Sequence, residues 1–135
     1  MVDPRLNRHL GPLEAEIMAV FWAVPQASVR LVTERLNERR PERPLAYTTV
    51  MTVMSRLADK AALVRELAGK TYVYRAARSQ AEFLAQISNE RVGALVEDFG
   101  ELALAQFLSH LEDLDPEHLQ RLRELAQGHE TEGTP

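Results

Sequence analysis

Ala46-Tyr47-Thr48-Thr49-Val50-Met51-Thr52-Val53-Met54-Ser55-Arg56-Leu57 carries two patterns at once. Wound as an α-helix, Val50, Val53, Met54 and Leu57 fall on one side, which predicts an amphipathic helix from about Tyr47 to Lys60. Ser55, Thr48, Asp59 and Thr52 lie within about 40° of the pole opposite Val50. Met51 flanks them on one side, Thr49 and Arg56 on the other. Threonine costs a few tenths of a kcal/mol against alanine at an exposed helical site, so Thr48, Thr49 and Thr52 together suggest a use beyond solubility. Hydroxyls bond base edges or phosphates, threonine methyls pack on thymine methyls, and an arginine such as Arg56 reaches guanine or phosphate. A merely solvated polar face explains any one of these residues more easily than it explains the cluster.

Working outward, the order of elements fits the same reading. Gly11-Pro12 opens a helix, with Glu14 and Glu16 at its positive end and Leu13, Ile17, Val20, Phe21 and Val24 on one face, until Pro25 ends it. Ser28 is a good N-cap for a second helix with Val29, Val32 and Leu36 facing inward. Pro41 and Pro44 make residues 38–44 a loop. After the third helix come Leu63–Leu67 and Thr71–Arg75, short strands rich in branched and aromatic residues, joined through Gly69-Lys70. Glycine at the first position of a two-residue loop predicts a type II′ turn. Three helices followed by a hairpin are the order of a winged helix-turn-helix, whose third helix enters the DNA major groove. The fold class expected is mainly α with a small β-hairpin. Arg65, Lys70 and Arg75 on the wing, and Arg30 just after the Ser28 cap, are candidates for phosphate contact.

The remainder reads as helical. Ser79 to Phe99, a segment from Leu102 to Leu111, and a helix opened by Asp115-Pro116-Glu117 carry Leu84, Ile87, Leu95, Leu104, Phe107, Leu108, Leu111, Leu119 and Leu122. These apolar faces have little left to cover within one chain, and pairing two copies is the simple solution. The expected division is a DNA-binding domain over residues 1–77, a helical dimerisation region over 78–127 and a disordered tail over 128–135, which lacks apolar residues.

The net charge of −4 argues, taken alone, against a nucleic-acid partner. Its distribution says otherwise. Residues 1–75 hold twelve Arg and Lys against eight Asp and Glu, while residues 76–135 hold four against twelve. Without cysteine there is no disulfide, thiolate metal site or cysteine nucleophile, which fits a reducing cytoplasm. No apolar run is long enough to span a membrane, and the N-terminus has no secretory pattern. His9, His110, His118 and His129 suggest no metal site, and no cofactor is expected. Phosphate-binding glycine loops and nucleophile elbows are missing, and Asp98-Phe99-Gly100 stands without any other kinase part, so no enzyme is expected.

Leu10-Gly11-Pro12-Leu13-Glu14-Ala15-Glu16-Ile17-Met18, Val20-Phe21-Trp22, the stretch from Ala46 to Leu57, and Tyr72-Val73-Tyr74 resemble the penicillinase-repressor (BlaI/MecI) group of regulators over about residues 10–127. The resemblance implies a dimeric repressor on inverted-repeat DNA, with Thr48, Thr49, Thr52 and Arg56 facing the operator and the C-terminal helices dimerising. In some members a membrane-bound sensor metalloprotease, triggered by a β-lactam, leads directly or indirectly to repressor cleavage. The matching segment here is Gln106-Phe107, with Gln where the family pattern has Asn. A copper-sensing branch relies on C-terminal cysteines that this chain lacks. The residues expected at DNA are thus Thr48, Thr49, Met51, Thr52, Ser55, Arg56, Arg30, Arg65, Lys70 and Arg75. Two other readings stay open. One is a ligand-responsive winged-helix regulator, with Trp22, Tyr72, Tyr74 and Phe83 around an effector. The other is a winged helix used to bind protein.

Overall fold

Helix starts in the N-terminal part follow the caps and prolines. The computed structural model describes residues 3–133, with side chains as far as Gly128. Asp3 accepts the Arg5 backbone N–H at 2.9 Å and opens α1 (Pro4–Asn7), a turn that the sequence reading passed over, although it buries Leu6. Gly11 and Pro12 open α2 (Pro12–Ala23). The Ser28 hydroxyl accepts the Leu31 N–H at 3.2 Å and opens α3 (Val29–Asn37). Next come α4 (Tyr47–Asp59), β1 (Leu63–Ala68) and β2 (Thr71–Ala76), then α5 (Gln80–Phe99), α6 (Glu101–Glu112) and α7 (Pro116–Gly133). The structure is mainly helical with one antiparallel hairpin, in the order of a winged helix-turn-helix.

The chain divides into two compact units, Met1–Ser88 and Asn89–Pro135. In the first, Leu6, Ile17, Met18, Phe21, Val29, Val32, Leu36, Val50, Met54, Leu57, Leu63 and Tyr74 form one core. Each side chain of this size contributes roughly 1.5–3 kcal/mol on burial. The unit extends past Ala77, the boundary read from sequence, because the first turns of α5 belong to it. Trp22 and Phe83 pack at 5.6 Å between ring centroids, the Trp22 indole N–H donates to the Arg78 carbonyl at 3.1 Å, and Leu84 packs against the core. Ser79 and Glu82 close a reciprocal cap on α5: the Ser79 N–H donates to the Glu82 carboxylate and the Glu82 N–H to the Ser79 hydroxyl. The bond from the Ser79 N–H holds the Glu82 carboxyl below its usual pKa.

The hairpin pairs Leu63 with Ala76 through Ala68 with Thr71. Gly69 has φ 69°, and among the described residues Ala61 is the one non-glycine at positive φ. Lys70 is therefore at negative φ, as a type II′ turn requires. Ala27 adds a short third rung, exchanging two 2.9 Å backbone hydrogen bonds with Tyr74. This ties the wing to the residue before the Ser28 cap.

In the second unit, Gly100 (φ 57°) separates α5 from α6, and the Asp115 carboxylate accepts the His118 N–H at 2.7 Å at the start of α7. That helix continues through Gly128 to Gly133, where composition alone predicts an unstructured tail. A single glycine costs only about 1 kcal/mol against alanine inside a helix, and the next proline is Pro135. Thr134 and Pro135, the end of the expected tail, lie outside the described residues.

The helix α4 ends in a Schellman motif: Ala62 N–H donates to Leu57 O at 2.9 Å and Ala61 N–H to Ala58 O at 3.0 Å. The left-handed position in it, φ 63°, is filled by Ala61 where glycine is usual. The left-handed conformation costs a non-glycine roughly 1–2 kcal/mol, and glycine's unfolded-state freedom offsets about 0.5–1 kcal/mol of that. Ala61→Gly should therefore stabilise the protein by about 0.5–1 kcal/mol in urea unfolding. A loss of stability would show that the site carries no strain.

Candidate nucleic-acid interface

The face that α4 leaves in solvent follows from the face it buries. Val50, Met54 and Leu57 are fully buried against neighbours on α2, α3 and β1. Thr48, Thr49, Met51, Thr52 and Arg56 are exposed and Ser55 is half-buried. The Thr52 hydroxyl donates to the Thr48 carbonyl at 2.9 Å, which leaves its oxygen free to accept. Ala46 supplies no side-chain cap, so nothing of its own chain covers the first amides of α4 from that position.

The approach to α4 is fixed by a contact that sequence periodicity does not report. Asn37, the last residue of α3, grips the backbone of Leu45 with both ends of its amide. Its nitrogen donates to Leu45 O at 3.1 Å and its oxygen accepts Leu45 N–H at 2.7 Å. The loop between them is thereby closed two residues before α4 begins. Arg40 in this loop pairs with Glu16 of α2 at 2.5 Å and also donates to Leu36 O. Lys60, at the other end of α4, lies 3.5 Å from Glu14 of α2.

The candidate cations are not one cluster. Arg30 is exposed one residue inside α3 and pairs with Glu34 at 3.4 Å, an exposed contact that a phosphate displaces at little cost. The hairpin register puts Leu63, Arg65 and Leu67 on one face with Tyr72, Tyr74 and Ala76, and puts Arg75 on the other with Val64, Glu66 and Val73. Arg65 and Arg75, expected together at phosphate, are thus placed on opposite faces by strand alternation. The Arg65 guanidinium lies 4.8 Å from the centre of the Tyr72 ring, and hydrogen bonding to Tyr74 raises its pKa. Lys70 is exposed in the turn.

Trp22, Tyr72, Tyr74 and Phe83 sort into two pairs. Trp22 packs on Phe83, and Tyr72 lies 6.4 Å from Tyr74, itself only 2% exposed in the core. A surface cavity of about 480 Å³ beside Trp22 is lined by neither Tyr72 nor Phe83. No helix of the described residues is long and apolar enough to cross a membrane.

Among the residues expected at a dimer interface, Leu84 and Ile87 fall in the first unit and are half-buried. Leu95, Leu104, Leu108 and Leu111 are exposed in the second, joined by Val92, Phe99, Leu102 and Leu125. Phe107, Leu119 and Leu122 are half-buried. Gln106 and Phe107 both lie inside α6. Sequence reading gave Tyr47 no role; as the first residue of α4 it is 49% exposed.

The Penicillinase repressor family pattern matches residues 10–128. A transcriptional regulator BlaI of Mycobacterium tuberculosis (strain CDC 1551 / Oshkosh) is 36% identical over 125 residues, which span 89% of this chain and 87% of that relative. Among solved structures, the DNA-binding domain of the repressor BlaI aligns with a TM-score of 0.47 at 23% identity, over 54% of this chain and 85% of that one. A transcriptional regulator from Clostridium thermocellum aligns with a TM-score of 0.48 at 12% identity, over 74% and 99%.

Removing the Asn37 amide leaves the Leu45 N–H and C=O without their partner. Asn37→Ala should cost about 1–3 kcal/mol of stability by urea unfolding. Unchanged stability would mean that the loop holds itself.

Proposed function

The chain belongs to the penicillinase-repressor family of transcriptional regulators, and from that premise we propose that it is a homodimeric repressor of inverted-repeat operators. Each α4 enters the major groove of one half-site, and a twofold protein matches a palindromic site. The observation that carries this reading is the outer face of α4: Thr48, Thr49, Thr52 and Arg56 stand in solvent while the other face of the helix holds the core. The unit that bears it has thirteen Arg and Lys against nine Asp and Glu through Ser88, a surplus of +4 that favours a polyanion.

In this arrangement Thr48, Thr49, Met51, Thr52 and Ser55 meet base edges, and Arg56 meets guanine or phosphate. Arg30 adds a phosphate contact where helix amides also favour an anion. Lys70 and Arg65 contact the backbone beside the groove. Arg75, on the opposite face of the wing, contributes general attraction to the backbone. The exposed leucines of α5 and α6, with Phe107, Leu119 and Leu122, form the surface between protomers, since apolar patches of this kind mark interaction sites. Release comes from a partner's signal or from proteolysis at Gln106-Phe107, brought about directly or indirectly by a sensor protease. Because that bond lies within a helix, α6 has to open before a protease can bind it.

DNA selected from genomic fragments by the purified protein should contain an inverted repeat, and log affinity should fall linearly with log salt. Arg56→Ala should cost about 1–3 kcal/mol on the selected site, Thr52→Ala should weaken that site specifically, and Lys70→Ala should weaken all DNA alike. Failure to retain any inverted repeat at low salt would sink the reading. A fragment ending at Ser88 should be monomeric by sedimentation and bind the site far more weakly. A dimeric fragment would move the dimer interface into the first unit.

A further inference from the structure

The outward face of α4 is chemically uneven. Its middle carries Thr48, Thr52 and Ser55, and one flank carries Thr49 and Arg56. The other flank carries Met51, and Tyr47 lies about 40° further round, at the border of the buried stripe; these two large apolar side chains are 40% and 49% exposed. They are four residues apart and so are neighbours on the helix surface. Neither belongs to the core of the first unit. Tyr47 is the first helical residue, and the N-terminal residues of a recognition helix are those that reach base edges.

We infer that Tyr47 and Met51 form an apolar edge of α4 that reads the 5-methyl groups of thymine in the major groove. This rests on the DNA-binding reading above and adds to it the kind of base recognised. Among the four bases only thymine offers a methyl there. The surplus of basic residues in the first unit brings this edge to DNA rather than to an apolar protein surface. Arg56 lies about 180° around the helix from Tyr47 and about 140° from Met51, so a side suited to guanine or phosphate and an apolar side suited to thymine flank the threonines between them.

The test is a set of otherwise identical selected operators with thymines replaced one at a time by uracil. The replacement deletes the methyl and leaves every hydrogen-bonding group in place. For the unaltered protein, affinity should fall about fourfold at each contacted thymine, the worth of one buried methyl. Tyr47→Ala and Met51→Ala should lose affinity for the thymine operator, and the uracil replacements should then cost those variants little more, a non-additive cycle. Tyr47→Phe should keep the discrimination, because the ring and not the hydroxyl makes the contact. Equal binding of thymine and uracil operators by the unaltered protein would overturn the inference and leave the repressor reading intact. Undiminished uracil discrimination in the double variant Tyr47→Ala, Met51→Ala would also overturn it, by assigning the methyl contacts to the threonines. Absence of any specific DNA binding would overturn both.

Discussion

Burial of Val50, Met54 and Leu57 is the constraint on which the first unit turns. α4 packs against α2, α3 and β1, and these three side chains are fully buried in the core that the elements share. A helix committed inward along one stripe has its remaining side chains fixed outward. Rotating α4 by a single residue, about 100°, would put Thr49, Val53 and Arg56, or else Met51, Ser55 and Ala58, where Val50, Met54 and Leu57 now fill the core. The placement of Thr48, Thr52 and Arg56 in solvent is thus a by-product of core packing. The surrounding contacts set its ends: Asn37 on Leu45 before it, the Schellman motif at Ala61 and Ala62 after it, and Glu14 and Glu16 reaching from α2 to Lys60 and Arg40.

What the sequence made legible was local and periodic. The α3 cap at Ser28, the start of α2 at Pro12 and the stripe of α4 each lie within a few residues, where helix geometry repeats. The turn at Gly69-Lys70 was legible for the same reason. The contacts that bind elements together were not. The Ala27–Tyr74 rung is pure backbone between distant residues and leaves no side-chain pattern. Asn37 looks like any polar residue ahead of a loop until Leu45 is beside it. Ala61 gave no sign of a left-handed residue, since the usual signal is glycine. The split of Arg65 from Arg75 was available from strand alternation, because odd and even residues of β1 and β2 face opposite ways. The DNA-facing and dimer-facing roles proposed above rest on charge, exposure and family membership rather than on any contact within the chain.

The charge of the whole chain is a misleading average. Through Ser88 the surplus is positive, and from Asn89 onward eleven acids face three Arg, a charge of −8. A net value near zero or below it therefore says little about a protein whose units have opposite signs. An acidic unit repels any polyanion, so the surplus that favours one is carried by the first unit alone.

The amide of Asn37 also makes the entry to α4 depend on the chemical asymmetry of one small group. Its grip on Leu45 depends on one end of the group donating and the other accepting. Asparagine is thermolabile, and hydrolysis of that amide leaves a carboxylate, with oxygen at both ends. The oxygen replacing the nitrogen would then confront the Leu45 carbonyl with like polarity, and attraction would become repulsion. A change at one atom of Asn37 would thus loosen the entry to α4 while every residue of its outer face stayed chemically intact.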